Sequence, residues 1–185
     1  FPQLIAGPIV RYYDIIPQFL KNNSTIFNQR NITLGILLFI LGLAKKVLIA
    51  DQISPFVDRV FEFSLYSSNI NPIEAICASF FYALQLYFDF SGYCDMAMGL
   101  AKIFNISLPL NFNSPYKAPN IIDFWRRWHI TLSSFLTQYI FLPLNILLAR
   151  RSKNKRFQFK KIIPFSIFLP VIMTFFISGL WHGAG

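Results

Sequence analysis

Ile130–Ala149 reads ITLSSFLTQYIFLPLNILLA, and Ile162–Trp181 reads IIPFSIFLPVIMTFFISGLW. Each stretch has twenty residues and no charged side chain. Twenty helical residues rise about 30 Å, which is the thickness of the hydrocarbon core of a bilayer. The two stretches therefore predict helices that are long enough to span a membrane.

Two further apolar stretches precede them. Ile32–Ala50 is interrupted by Lys45 and Lys46, and Ile73–Phe88 carries a single charge at Glu74. Four such stretches in one chain predict an all-α, multi-pass integral membrane bundle.

Prolines fall inside the two charge-free stretches, at Pro143, Pro164 and Pro170. Proline removes a backbone donor and kinks a helix. In a membrane, such a break persists only where protein or a water-filled cavity satisfies the freed backbone groups. We therefore expect broken or re-entrant helices, which a buried site requires.

The composition excludes an ordinary soluble domain. Hydrophobic residues make up 55% of the 185 residues, phenylalanine alone occurs 22 times, and charged residues make up 14%. Soluble domains carry about 25% charged residues. The chain begins at Phe1 and stops after SGLWHGAG, so we expect residues 1–185 to be one membrane region inside a longer protein.

The net charge of +9 raises the question of nucleic-acid binding. The basic residues, however, lie mainly in short connectors between apolar stretches, which is where membrane proteins retain them on the cytoplasmic side. The clearest case is Arg150–Lys161, RRSKNKRFQFKK, in which seven of twelve residues are basic. We expect a cytoplasmic loop there, with anionic lipid or an acidic partner as alternative ligands, and no nucleic acid.

Several classes of catalytic site have no motif in this sequence. The spacing of Cys77 and Cys94 suggests neither a disulfide framework nor a zinc site. A phosphate-binding loop, an H-E-x-x-H metal motif and a G-x-S-x-G nucleophile elbow are all missing. Nothing therefore predicts a metal or a nucleotide-hydrolysing site.

The chain has two histidines, His129 and His182. Transfer of an acyl group to a hydroxyl needs a base that takes the hydroxyl proton, and histidine is the usual choice because its pKa of about 6.5 lies near working pH. His182 directly follows the last apolar stretch, which ends at Trp181. Its other reading is a packing segment, because Gly179 and Gly183 form a G-x-x-x-G pair and tryptophan anchors membrane interfaces.

His129 follows Asp123-Phe124-Trp125-Arg126-Arg127-Trp128. If this segment is helical, Trp125 and His129 share a face with Trp128, and Asp123 can pair with Arg126 or Arg127. The same residues also describe an interfacial aromatic girdle.

Two carboxylates, Asp89 and Asp95, lie in very apolar surroundings. On a helix, Ser91 shares a face with Asp95, whereas Asp89 and Asp95 do not share one. A general acid and base, a proton relay, and structural pairing with a basic side chain or backbone donors are the alternatives. The segment from Asn105 to Asn120, rich in Asn and Pro, predicts a loop or short interfacial pieces.

Six ordered segments resemble the membrane-bound O-acyltransferase family, in particular its bacterial branch that O-acetylates alginate, other polysaccharides or peptidoglycan. They are FPQLIAGPIVRYYDI (1–15), LGLAKKVLIAD (41–51), YFDFSGYCDMAMGLAKIF (87–104), LNFNSPY (110–116), DFWRRWHITLS (123–133) and SGLWHGAG (178–185).

The resemblance implies a helical membrane fold around a tunnel, with His182 as the principal catalytic residue and His129 as the second. Supporting roles at the tunnel or substrate fall on the other polar and aromatic residues of the same segments. These are Asp89, Asp95, Asn111, Trp125, Arg126 and Trp181.

The resemblance also implies partners and location. It predicts an acyl thioester donor, acetyl-CoA, with no bound cofactor, and a glycan hydroxyl as acceptor. It further predicts an extracytoplasmic acetyltransferase partner and the bacterial inner membrane. D-alanyl transfer to teichoic acid is the alternative within the family. An ion or solute transporter using Asp89 and Asp95, and a non-catalytic scaffold, are the alternatives outside it.

Overall fold

The computed structural model describes residues 7–20, 27–66, 70–152 and 165–183. Within these ranges the regular structure is helical, and no strand occurs. The described residues form eight α-helices, in chain order α1 (Tyr12–Leu20), α2 (Gln29–Ala44), α3 (Asp51–Tyr66), α4 (Pro72–Ile103), α5 (Ile121–Arg127), α6 (Ile130–Leu136), α7 (Leu142–Ser152) and α8 (Phe165–His182). The prediction of an all-α fold is confirmed.

Two π-helical segments join neighbouring helices. Lys45–Ala50 connects α2 to α3, and Thr137–Phe141 connects α6 to α7. In the part of the chain that the structure describes, three continuous helical stretches are long and apolar enough to cross a membrane: Gln29–Tyr66, Pro72–Ile103 and Ile130–Leu148. The fourth predicted stretch corresponds to α8, whose apolar part, Phe168–His182, is shorter than these three stretches.

The expected broken or re-entrant helices are not found at Pro143 or Pro170, because the helical stretches continue through both residues. The third stretch contains the second π-helical segment, and Pro143 follows it as the second residue of α7. Pro170 lies inside α8 without ending that helix, and its carbonyl accepts a 2.6 Å hydrogen bond from Thr174 Oγ1. Pro164 lies outside the described residues.

The basic connector is only partly described. Helix α7 runs through Ser152, so the prediction of a loop from Arg150 onward is wrong for the first three residues of the connector. The rest of the connector, residues 153–161, lies outside the described residues.

The chain divides into two compact units, Phe1–Phe112 and Asn113–Gly185. In the first, α4 packs antiparallel along α2, the first π-helical segment and α3. Glycine pairs make the closest approach: an ideal Cβ on Gly42 would lie 2.5 Å from the carbonyl oxygen of Gly92, and one on Gly99 would lie 2.5 Å from that of Gly35. Since no side chain fits there, the two backbones touch directly.

In the second unit, α8 packs against α7 and the second π-helical segment, while α5 contacts α6 and a short 3₁₀ turn, Pro115–Lys117. The loop predicted between Asn105 and Asn120 is confirmed, because its regular structure is limited to the 3₁₀ turn Pro115–Lys117. The second unit therefore holds both histidines of the chain.

Candidate active site

His129 occupies a break between two helices. Asn120 is the N-cap of helix α5, and its side chain accepts a 2.8 Å hydrogen bond from the amide of Asp123. The helix ends at Arg127. Trp128 is extended (φ −97°, ψ 127°), and His129 is left-handed (φ 42°, ψ 54°) immediately before α6. The expected helical face shared by Trp125, Trp128 and His129 is therefore wrong.

The break has an identifiable cause. The carbonyl of Arg127 accepts a 3.0 Å hydrogen bond from the amide of Asn113, so the end of α5 is tied to the preceding loop instead of continuing the helix. The carbonyl of His129 then accepts the first hydrogen bond of α6, from the amide of Ser133. A left-handed residue other than glycine costs about 1–2 kcal/mol, although histidine is among the residue types that adopt it more often.

The side chain of His129 is removed from solvent, with 8% of its surface exposed. Burial lowers the pKa of His129, and the electrostatic effect of His182 lowers it further, to about 4. His129 precedes the third candidate span and lies outside it. It is consequently a neutral imidazole near pH 7, with one N–H to donate and one nitrogen to accept.

His182 is the last residue of α8, and its side chain is exposed. Gly183 stops the helix with a positive φ of 88°, and its amide donates a 3.2 Å hydrogen bond to the carbonyl of Leu180. The Trp181 ring lies edge-on to the His182 ring, with 4.9 Å between centroids. The effect of His182 on the pKa of His129 places the two imidazoles within electrostatic range of each other.

The G-x-x-x-G alternative for this segment has no support in the described residues. A Cβ added at Gly179 or Gly183 would meet no atom within 4 Å. Close-packed glycines are found instead on α2 and α4.

Aromatic rings fix α5 in the second unit. Phe124 stacks on Trp128, with ring centroids 5.6 Å apart and an angle of 17° between planes, and Tyr116 contacts both rings. Trp125 meets Phe175 of α8 edge to face at 6.3 Å. Trp125 thus links the helix before His129 to the helix that ends at His182, while 46% of its surface stays exposed.

Of the two neighbouring arginines, the structure engages Arg127. Its Nε donates to Asp123 Oδ2 at 2.7 Å, and its Nη1 donates to the carbonyl of Asn113 at 3.4 Å. The pairing expected for Asp123 is confirmed with Arg127, whereas Arg126 is exposed. The sequence left Arg126 and Arg127 open as partners of Asp123, and the i, i+4 spacing favours Arg127; the supporting role expected for Arg126 stays a prediction.

Asp89 and Asp95 belong to the first unit and are both paired. Lys45 Nζ lies 2.5 Å from Asp95 Oδ2, and Lys46 Nζ lies 2.5 Å from Asp89 Oδ1 and 2.9 Å from Asp51 Oδ1. The alternative of pairing with a basic side chain is therefore confirmed. The two consecutive lysines that interrupt the first apolar stretch were the signal for these partners.

Asn111 is completely buried and donates a 3.2 Å hydrogen bond to the Sγ of Cys94. This bond joins the loop after α4 to that helix, within the first unit. Among the described residues, no group of three or more His, Cys, Asp or Glu side chains is arranged to hold a metal ion.

A family model for membrane-bound O-acyltransferases matches residues 1–185, the whole chain. The chain belongs to the membrane-bound O-acyltransferase family. Together with the long apolar helices, this membership identifies a membrane protein.

Individual members of the membrane-bound O-acyltransferase family are also similar. A peptidoglycan O-acetyltransferase of Helicobacter pylori is 50% identical over 185 residues, which cover all of this chain and 32% of the relative. A "probable alginate O-acetylase" of Azotobacter vinelandii is 38% identical over 184 residues, which cover all of this chain and 33% of the relative. A teichoic acid D-alanyltransferase of Bacillus subtilis is 29% identical over 188 residues, covering 99% of this chain and 44% of the relative.

The chain spans about a third of the length of the O-acetyltransferase relatives. Within that third, both histidines of the sequence are brought into one unit of the membrane-bound O-acyltransferase. Asp89, Asp95 and Asn111 lie in the other unit, where each has a structural partner.

Proposed function

We propose that this membrane-bound O-acyltransferase region moves an acetyl group from a thioester donor toward a hydroxyl of a cell-envelope glycan, using His182 and His129. One observation carries the proposal: the two histidines of the chain lie in the same unit, within electrostatic range of each other, one buried and one exposed. An exposed imidazole beside a buried neutral one suits a reaction that moves a proton while a negative charge develops.

The different surroundings of the histidines divide their roles. A group whose pKa is about 4 holds a proton too weakly to act as a base near pH 7, so His129 is the poorer base. His182 is therefore assigned the proton transfer. A neutral His129 can donate its N–H to the developing oxyanion, as a neutral imidazole does when its pKa is depressed.

Each proton and bond of the transfer has a defined origin and destination. His182 accepts the proton of the acceptor hydroxyl as that oxygen forms a bond to the thioester carbonyl carbon. The carbonyl electrons move onto its oxygen, which accepts a hydrogen bond from His129. When the tetrahedral intermediate collapses, the carbon–sulfur bond breaks and the protonated His182 returns the proton to the thiolate.

The names of the relatives guide the choice of substrates. The relatives at 50% and 38% identity are named for O-acetylation, and a relative at 29% identity is named for D-alanyl transfer. We therefore assign acetyl-CoA as donor and peptidoglycan or alginate-like glycan as the final acceptor, with a second, extracytoplasmic acetyltransferase receiving the group. A bacterial inner-membrane location with several spans and a cytoplasmic basic connector fits this direction of transfer.

The test uses the full-length protein in isolated membranes. Radiolabelled acetyl-CoA and radiolabelled D-alanyl carrier protein are supplied in parallel, and label is followed into glycan and onto membrane-associated proteins. The proposal expects transfer from acetyl-CoA that is lost in His182→Ala and kept in Gly179→Ala, a matched change one helical turn away. Transfer only from the D-alanyl carrier would correct the donor, and solute flux that depends on Asp89 and Asp95 but not on His182 would replace the proposal with a transporter.

A further inference from the structure

The Arg127 side chain bridges two parts of the chain that border His129. Its Nε donates to the Asp123 carboxylate one helical turn earlier, and its Nη1 donates to the carbonyl of Asn113 in the preceding loop. The Asn113 amide in turn donates to the Arg127 carbonyl, so both backbone groups of Asn113 are bound to the same arginine. We call these three residues the α5 clamp.

The α5 clamp acts where the backbone changes direction. The Arg127 carbonyl is the acceptor that ends the helix, Trp128 is extended, and His129 is left-handed. A left-handed non-glycine residue persists only where its surroundings over-determine it. The α5 clamp on one side and the His129–Ser133 hydrogen bond that opens α6 on the other supply that constraint.

We propose that Arg127, oriented by Asp123, is the positioning residue that aims the buried imidazole of His129 into the site that it shares with His182. This inference rests on the proposed function and adds a residue to it. Arg127 acts through the backbone of the α5 clamp and needs no contact with the substrate.

The geometry distinguishes this role from substrate binding. Two of the three guanidinium nitrogens already donate to groups of the protein, and about a third of the side chain, 31%, is exposed. Arginine is also required by the shape of the clamp, since its planar fork donates in two directions at once. Lysine keeps the charge opposite Asp123 but loses the second directed donor.

The experiment measures the two histidines separately in the full-length protein. Diethyl pyrocarbonate modifies accessible neutral imidazoles, and peptide mass spectrometry reports the modification rates of His129 and His182 in one sample. The variants are Arg127→Gln, the milder Arg127→Lys, and Asp123→Asn, each checked for monodispersity. Arg59→Gln is the control, because Arg59 is an exposed arginine on α3 of the other unit.

With the α5 clamp released, His129 should be modified at least about tenfold faster, because charge-assisted hydrogen bonds that hold a local structure closed have been lost. The rate at His182 serves as the internal reference and should stay the same. In the acyl-transfer assay, kcat should fall by about 10²-fold with an unchanged KM for the donor, which is the effect of a small displacement of a catalytic group. Asp123→Asn combined with Arg127→Gln should be no worse than Arg127→Gln alone, since Arg127→Gln already removes the contact with Asp123.

Two results would overturn the inference. An unchanged His129 modification rate in both Arg127 variants would show that the α5 clamp does not hold the imidazole. A raised donor KM in Arg127→Gln, without any effect of Asp123→Asn, would make Arg127 a substrate-binding residue. If the wild type transfers no acyl group, the proposed function fails, but the ratio of the two modification rates still decides the role of the α5 clamp.

Discussion

Replacing Gly42 by alanine tests the helix contact on which the first unit is built. The added Cβ would lie 2.5 Å from the carbonyl oxygen of Gly92 and 2.8 Å from the amide nitrogen of Met96. Both are backbone atoms, so no side chain can rotate to relieve the overlap. To reach an ordinary contact of at least 3.4 Å, α2 and α4 would have to move apart locally by about 0.9 Å.

The magnitude follows from this geometry. Forcing extra carbon into a packed interface costs about 1–3 kcal/mol when backbones must shift. The opposing gain in helix propensity from Gly to Ala is at most about 1 kcal/mol. The Lys45–Asp95 and Lys46–Asp89 ion pairs lie one helical turn beyond this contact and would be stretched by the same movement. We therefore expect a net destabilisation.

The assay is the thermal unfolding of the purified full-length protein in detergent, followed by tryptophan fluorescence. A loss of about 1–2 kcal/mol should lower Tm by at most about 8 °C, which is the upper shift for a domain of about 150–250 residues, and by less in a longer protein. Gly179→Ala is the matched control, because its Cβ would meet nothing within 4 Å in the described structure and only the propensity gain remains. A Tm for Gly42→Ala equal to or above that of the control would refute the direct backbone contact.

Other contacts of the two units can be tested in the same way. Lys45→Met should lower Tm more than the double change Lys45→Met with Asp95→Leu. The single change leaves the Asp95 carboxylate, whose side chain is 19% exposed, without its cation. An equal or larger loss of Tm in the double variant would argue against a stabilising Lys45–Asp95 ion pair. His129→Gln should slow acyl transfer without moving the midpoints of the pH–rate profile between about pH 5 and 8. The reason is that a pKa of about 4 keeps His129 neutral throughout that range, so His129 gains a proton only at lower pH. A displaced midpoint would mean that His129 titrates between about pH 5 and 8. Asn111→Ala should make Cys94 react with a thiol reagent at least about fivefold faster, since losing a buried hydrogen bond costs about 1 kcal/mol. An unchanged rate would show that the hydrogen bond from Asn111 does not hold the loop after α4 over the Cys94 thiol.

The long apolar stretches were predictable because length and absence of charge determine membrane-spanning helices almost alone. The runs beginning at Ile73 and Ile130 start within one residue of α4 and α6. The pairing of α2 with α4 was not predictable in the same way. Gly35 and Gly42 are seven residues apart, as are Gly92 and Gly99, and this repeat becomes meaningful only once two helices are known to face each other.

The candidate site shows the complementary limit. The histidines were identified from their residue type and position, but the local conformation of His129 was wrong, because no Gly or Pro marks the end of α5. The helix stops at Arg127 through a hydrogen bond to Asn113, a contact fourteen residues away that local propensity does not encode. Tertiary contacts of this kind override a helical pattern.

The measurement that tests the central claim most directly is the rate of acetyl transfer from acetyl-CoA by the full-length protein, compared between wild type and His182→Ala in membranes with matched amounts of folded protein. The account predicts a fall in kcat of about 10²–10⁴-fold, the usual contribution of a positioned proton-transfer group. A rate of acetyl transfer in His182→Ala equal to that of the wild type would contradict the catalytic role of His182 and leave it a structural residue at the end of α8.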